Sequence, residues 1–122
     1  MDEAMGLAAI QSKIIELRGV KVMLDRDLAA LYRVETKQLN RAVKRNVERF
    51  PSSYMFQLNE CEYKDLKCQF GTSSWGGVRK LPYVFTEHGV LMTASVLKSK
   101  LAIQVNQIII EAFVKLISWF KN

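Results

Sequence analysis

Apolar residues between positions 25 and 46 recur at helical spacing in two short runs. The first run predicts a helix that Asp25 caps, because its carboxylate can accept hydrogen bonds from the free N–H groups of the first turn. The second run predicts a helix that starts at Glu35-Thr36, with Thr36 as its N-cap. The positions predicted to be buried are Leu28, Ala29, Leu31, Tyr32, Val34, Leu39, Ala42 and Val43. This spacing, with a small residue at Ala29, is the packing pattern of a DNA-binding helix-turn-helix.

The turn between these two helices departs from that pattern at Arg33. Glycine is usual at this position because it adopts a left-handed backbone without steric cost. We therefore expect the turn to have either a different backbone or a strained one.

Shorter runs on either side of the helix pair predict strands. The β-prone runs 14–17 and 20–24 flank a short turn that contains glycine, which predicts a hairpin. Apolar and polar residues alternate over 54–58, which predicts a half-buried strand. A further strand is predicted over 81–85, where Pro82 favours a sheet edge or a strand start.

Two more helices are predicted to begin after a polar capping residue. Asn59 precedes the first, over 60–69, and Thr86 precedes the second, over 87–97. The positions predicted to face inward are Tyr63 and Leu66 in the first helix and Val90, Leu91, Ala94 and Leu97 in the second. These elements predict a single α+β domain over 14–122 after a loose or short helical lead-in segment over 1–13. Its parts are a helix-turn-helix core, a small hairpin with short antiparallel strands, and a long C-terminal helix.

The last predicted helix, over 99–120, has an unusually wide apolar surface. Its main stripe is Leu101, Val105, Ile108, Ile109, Ala112, Phe113, Leu116 and Phe120, and Ile103, Ile110, Val114 and Ile117 extend it round the helix. Three explanations fit this width: the helix is sandwiched within the domain, it pairs with a second copy, or a further domain follows. The end at Lys121-Asn122 has no turn or cap signal and is consistent with a missing C-terminal domain.

Positive charge is concentrated on the second helix of the pair. Residues 33–49 contain six basic and two acidic side chains, a net of +4 out of the +6 of the whole chain. An ordinary solvated helix mixes the two signs. We therefore predict that 36–49 is a recognition helix in the DNA major groove. The residues predicted to contact bases are Thr36, Lys37, Asn40 and Arg41, and those predicted to contact phosphates are Lys44, Arg45 and Arg49.

The stretch 71–80 contains three glycines and ends in Arg79-Lys80. A glycine-rich basic loop can act as a wing that contacts phosphates, so Arg79 and Lys80 are secondary phosphate-contacting candidates. An ordinary hairpin loop explains the same composition equally well. The stretch lacks the G-x-x-x-x-G-K-[ST] pattern of a nucleotide-binding loop.

Several other classes of site are disfavoured. The acidic start lacks the features of a secretory signal, and no apolar run is long enough to span a membrane. We expect Cys61 and Cys68 to be reduced, buried thiols of a cytosolic protein, and one histidine cannot complete an ordinary zinc site. Glu87 and His88 lie in the first turn of a predicted helix without a nucleophile, so we interpret them as structural. We expect no cofactor, no metal and no enzymatic activity.

Three segments, in order, resemble the ORF-six-N domain. They are VKVMLDRDLAALYRVETKQLNRAVKRNVERFPSSYMFQL, QFGTSSWGGVRKLPYVFTEHGV and AIQVNQIIIEAFVKL, so the resemblance extends over about 14–116. It implies the N-terminal DNA-binding module of phage antirepressor-like and prophage regulatory proteins, which is related to the KilA-N and Bro-N domains. It also implies a non-enzymatic domain, often joined to a variable C-terminal domain. Members of this family commonly have glycine at the position of Arg33.

The sequence therefore predicts a sequence-specific, double-stranded DNA-binding regulator of the phage or prophage type. We expect a homodimer through residues 99–120, in the cytoplasm of a bacterial or phage-infected cell and associated with the nucleoid. The main alternative is a protein-interaction module that acts through the last helix, with an incidental basic surface. A nuclease is less well supported because no cluster of acidic metal ligands is evident. RNA binding is also less well supported because the aromatic residues are spread through predicted core positions.

Overall fold

The computed structural model describes residues 6–70 and 80–121, and these residues form an α+β fold. The described helices are α1 (Leu7–Gln11), α2 (Asp25–Tyr32), α3 (Thr36–Arg45), α4 (Glu60–Phe70), α5 (Glu87–Leu97) and α6 (Lys100–Lys121). The described strands are β1 (Ile14–Leu17), β2 (Val20–Leu24), β3 (Met55–Gln57) and β4 (Tyr83–Phe85). The glycine-rich stretch 71–79, with Arg79, lies outside the described residues. The long C-terminal helix is confirmed.

The four strands form one antiparallel sheet in the order β1-β2-β4-β3. The β1–β2 hairpin has the predicted bounds, and both turn residues have positive φ, 53° at Arg18 and 81° at Gly19. Such a turn matches the right-handed twist of the strands that it joins. β4 is shorter than predicted and lies between β2 and β3, so Pro82 marks a strand start and not a sheet edge.

The sheet is covered on both faces, because side chains alternate in direction along a strand. Met23 and Phe85 belong to the core that contains α2, α5 and α6. Their neighbours Val22, Leu24 and Val84 pack with Tyr63 and Leu66 of α4 on the opposite face. Both sides of the sheet therefore contribute to the hydrophobic core.

The hairpin turn is fastened to the start of α4. The Arg18 Nε donates to Glu62 Oε2 at 2.8 Å, and its guanidinium lies 4.2 Å from the centre of the Phe56 ring. The hydrogen bond from Arg18 holds the pKa of the Glu62 carboxyl below its usual value. Glu62 also closes the N-terminal cap of α4: its N–H donates to Asn59 Oδ1 at 2.8 Å, and its Oε1 accepts from Asn59 N–H at 2.9 Å.

α6 is sandwiched between α5 and α1 and also contacts α2. Val105, Ile109 and Phe113 are at most 2% exposed, so most of the wide apolar stripe is used within the domain. Ile103 and Val114 remain 51% and 46% exposed. The side chains of Ile117 and Phe120 lie outside the described part of the chain. Dimerisation through residues 99–120 stays a prediction.

A buried polar cluster fixes α2 against α5 and α6. The Tyr32 hydroxyl lies 2.7 Å from Thr93 Oγ1 and donates to Asn106 Oδ1, and all three side chains are buried. Burial raises the pKa of the Tyr32 hydroxyl. The cluster satisfies polar groups inside the core and sets the position of the helix that precedes α3.

Two of the four predicted helix caps are present in the structure. The caps at Asn59 and Thr86 are confirmed, and Thr86 Oγ1 accepts from Gly89 N–H at 3.3 Å. The cap at Asp25 is wrong, because Leu24 occupies the N-cap position and Asp25 is the first helical residue. The cap at Thr36 is also wrong, because Glu35 has the extended backbone of an N-cap and makes no side-chain cap bond.

Two predictions of burial are wrong for a common geometric reason. Leu91 is 49% exposed, because it lies one residue, about 100° of helix rotation, away from the buried Val90. Cys61 and Cys68 are both free and exposed. Their spacing of seven residues puts them on one face of α4, and that face points away from the side of the buried Tyr63. A helix with a weakly patterned sequence does not reveal which of its apolar residues face the core.

Candidate nucleic-acid interface

The turn between α2 and α3 has a strained backbone, which is one of the two possibilities that the sequence left open. Arg33 has a left-handed backbone, with φ 62° and ψ 41°. Arg33 N–H donates to Ala30 O at 3.1 Å, and Val34 N–H donates to Ala29 O at 3.0 Å. These two bonds form a Schellman motif with arginine where glycine is usual. The motif ends α2 sharply and lets α3 begin three residues later, at Thr36.

α3 is amphipathic, with its inner face held by the core. Leu39 is fully buried and Val43 is 4% exposed, whereas Lys37, Arg41, Lys44 and Arg45 are exposed. Thr36 and Asn40 are half-buried at the edge between the two faces. The cationic face predicted from the sequence is therefore present on α3.

The predicted bounds of this helix, 36–49, are too long by four residues. α3 ends at Arg45, and Val47–Arg49 form a separate short turn, so Arg49 does not lie on the helix. Asn46 explains the break, because its Nδ2 donates to Ala42 O at 2.8 Å and its backbone leaves the helical region, with φ −126° and ψ 38°. An asparagine side chain that bonds a backbone carbonyl competes with continuation of the helix.

A groove of about 770 Å³ runs along the edge of α3. One wall is α3 itself, and the other is formed by residues 80–83 at the start of β4, with Val47 and Met55 also lining it. The groove brings together all four predicted base-contacting residues and two predicted phosphate-contacting ones: Thr36, Lys37, Asn40, Arg41, Lys44 and Lys80. Arg45 and Arg49 are exposed but are not among its lining residues.

The charge of this groove is strongly positive. Among the described residues that line it, five are basic and one, Asp25, is acidic: Arg26, Lys37, Arg41, Lys44 and Lys80 are the basic ones. Asp25 is only 4% exposed, so the accessible charge comes from the cations. A concave surface lined by one sign of charge raises the local concentration of an oppositely charged partner.

Asn40 is anchored at the edge of the groove. Its Nδ2 donates to Asp25 Oδ2 at 3.0 Å, and the same oxygen accepts from Tyr83 N–H at 3.3 Å. The sequence predicted Asn40 as an outward-facing side chain and Asp25 as a helix cap. The structure instead joins the two, across the junction of α2, α3 and β4.

Sequence reasoning missed Arg26 and Val47 at this site. Arg26 precedes the charged run, and its position beside α3 depends on how the two helices pack. Val47 is 61% exposed, and its spacing from Asn40 and Lys44 was the signal that could have identified it. By contrast, Glu87 and His88 do not line the groove, and His88 stacks on Tyr54 with ring centres 5.5 Å apart.

The structure thus defines a small α+β domain with a cationic groove beside the second of two closely joined helices. A family model, described as the ORF6N domain, matches residues 12–96, which is well over half of the chain. The chain belongs to the ORF6N family, whose members are phage-type regulatory domains. The match includes the helix pair and the sheet, ends within α5 and leaves out α6. Neither the curated proteins nor the solved structures gave a match.

Proposed function

We propose that this ORF6N domain binds double-stranded DNA in a sequence-specific manner and acts as an antirepressor-like transcriptional regulator of the phage or prophage type. The observation that supports this most strongly is the groove beside α3. It is lined by all four predicted base-contacting side chains together with cations of α3 and Lys80. The proposal is of a binding protein and not of an enzyme.

In this proposal α3 enters the major groove. The helix has ten residues and is about 15 Å long, and the major groove, about 12 Å wide, admits one α-helix. Arg41 is suited to guanine, since its fork of N–H groups matches O6 and N7. Asn40 is suited to adenine, while Thr36 and Lys37 contact neighbouring bases near the start of the helix.

The remaining cations hold the DNA backbone. The base-contacting residues are followed along the chain by Lys44, Arg45 and Arg49. Lys80 lines the groove just before β4. Arg79 precedes Lys80 and is proposed for the same role. Contacts of this kind set the register of the protein on the duplex without reading its sequence.

Two substitutions separate base contacts from phosphate contacts. On a site enriched from random DNA, Arg41→Ala should cost about 1–3 kcal/mol and relax the preference at one base pair. Lys44→Ala should instead weaken binding to all sequences alike and lower the slope of log affinity against log salt by about one. Lys100→Ala, an exposed lysine that does not line the groove, is the matched control.

Titrations at several salt concentrations provide these values. The recognition role of α3 is contradicted if both variants fold and bind every DNA sequence like the Lys100→Ala control.

A second candidate function is protein interaction through α6. It is favoured by the exposed side chains of Ile103 and Val114, which are apolar and lie on the helix that the family match leaves out. Weak DNA binding without sequence preference, abolished by moderate salt, would favour this alternative. Sedimentation as a monomer at high micromolar concentration would exclude a second copy as the partner.

A further inference from the structure

Asp25 is a buried carboxylate at the edge of a cationic groove. It is 4% exposed, and its Oδ2 accepts from the Asn40 side chain at 3.0 Å and from the Tyr83 backbone at 3.3 Å. Burial of a carboxylate is costly unless hydrogen bonds compensate it. Both of these bonds come from residues that line the groove, one on α3 and one at the start of β4.

Asp25 is not the N-cap of α2. A carboxylate in the first turn of α2 is favoured by the helix dipole, but its charge would oppose phosphate binding at the groove that it lines. The side-chain donor to Oδ2 is the Asn40 amide, which is the proposed adenine contact, whereas Tyr83 donates from its backbone.

We propose that Asp25 is a positioning residue that fixes the orientation of the Asn40 amide for base recognition. This inference rests on the proposed DNA binding. A carboxylate is an acceptor only, so the Asn40 nitrogen must face it and the amide oxygen must face away. One N–H of Asn40 is then bound to Asp25, and the second N–H and Oδ1 form the donor–acceptor pair that matches N7 and N6 of adenine.

Without the Asp25 carboxylate, the Asn40 amide would no longer be held in one orientation. An unanchored asparagine amide can turn by 180°, which exchanges its donor and its acceptor. In the turned state the pair no longer matches adenine. Asp25 therefore acts on base preference through Asn40, without contacting DNA itself.

The test is a double-mutant cycle of Asp25 and Asn40. The measured quantity is the ratio of the affinities for two DNA sites that differ at one base. The protein is the full chain, and the probe is an enriched DNA site paired with the same site altered at the adenine that Asn40→Ala ceases to distinguish. Asn40→Ala should lower the ratio of the two affinities by about 5- to 150-fold. Asp25→Ala should remove most of the same discrimination, and the double variant should lose no more than Asn40→Ala alone. Because each ratio is measured on one preparation, a changed fraction of folded protein cancels.

Two further variants separate the hydrogen-bond acceptor role of Asp25 from the effect of its charge. Asp25→Asn should retain the discrimination, because an amide oxygen in the place of Oδ2 can accept the same two bonds. Asp27→Ala is the matched control: it removes the same charge from the first turn of α2, two residues away, and Asp27 does not line the groove. It should change affinity for both DNA sites equally and leave their ratio unchanged.

Failure of the positioning role can be distinguished from failure of the proposed function. Equal loss of discrimination in Asp25→Asn and Asp25→Ala would overturn the positioning role. So would an effect of Asp25→Ala that is the same on both DNA sites, or undiminished when Asn40 is already alanine, since these describe a purely structural residue. If Asn40→Ala changes no base preference while Arg41→Ala does, the positioning role fails and the proposed function stands. If no DNA site is enriched at all, the proposed function fails.

Discussion

Arg33 shows how one residue shapes the candidate site. Its left-handed backbone ends α2 and determines where α3 begins. A residue with a side chain adopts this conformation at a cost of about 1–2 kcal/mol, which glycine does not incur. The sequence left a different backbone and a strained one as the two possibilities, because arginine stands where the motif usually has glycine.

We predict that Arg33→Gly is more stable than Arg33→Ala. Both variants remove the same side-chain contacts, and only alanine retains the steric cost of the left-handed backbone. Glycine also gives the unfolded chain about 0.4–1 kcal/mol more conformational entropy, so the net difference should be a few tenths to about 1 kcal/mol. Urea unfolding measures it. Equal or greater stability of Arg33→Ala would show that the turn is not strained.

The buried Asp25 was not predictable from sequence in the same way. Its two partners lie 15 and 58 positions away along the chain, and they meet only because α2, α3 and β4 converge. Local patterns predict capping for such an aspartate, since a cap depends on neighbours in sequence. Contacts between distant residues have no such local signal.

At the scale of elements, local chemistry was a reliable guide. The bounds of the hairpin and of α5 were predicted correctly, because β-prone runs and a threonine cap are local signals. The central position of β4 was not predicted, because strand order depends on pairings between distant segments. The end of α3 was missed because the bond from the Asn46 side chain to the Ala42 carbonyl was not anticipated.

The start of α5 packs closely against the backbone of Tyr54, the residue before β3. A Cβ atom at Gly89 would lie 2.0 Å from the carbonyl oxygen of Tyr54, so no side chain fits there. We predict that Gly89→Ala destabilises the fold by about 1–3 kcal/mol, since backbone must move to relieve the clash. This net cost already includes the gain of about 1 kcal/mol from alanine as a helix former.

Urea unfolding again provides the measurement. Ser95→Ala, at an exposed position of the same helix, is the control and should change stability little. A Gly89→Ala variant as stable as this control would contradict the close packing of α5 on Tyr54.

At the scale of the whole molecule, cations that are distant from one another in sequence line the same groove. The sequence located the cations on α3 and named Lys80 as a further candidate, and the fold brings Lys80 and Arg26 to the same groove. The second wall could not be predicted, because residues 80–83 are distant in sequence and reach α3 through the sheet. In the described part of the chain, no helix is both long and apolar enough to cross a membrane.

The central claim is that this domain reads DNA sequence. Its most direct test is selection of binding sites from a random DNA pool, carried out at two salt concentrations with the wild type and Arg41→Ala. We expect one enriched motif that persists at the higher salt and loses preference at a single base pair in the variant. A homodimer would add two-fold symmetry, with half-sites about 34–36 Å apart. No enrichment at either salt concentration, with affinity that vanishes as salt rises, would show that the domain does not read DNA sequence.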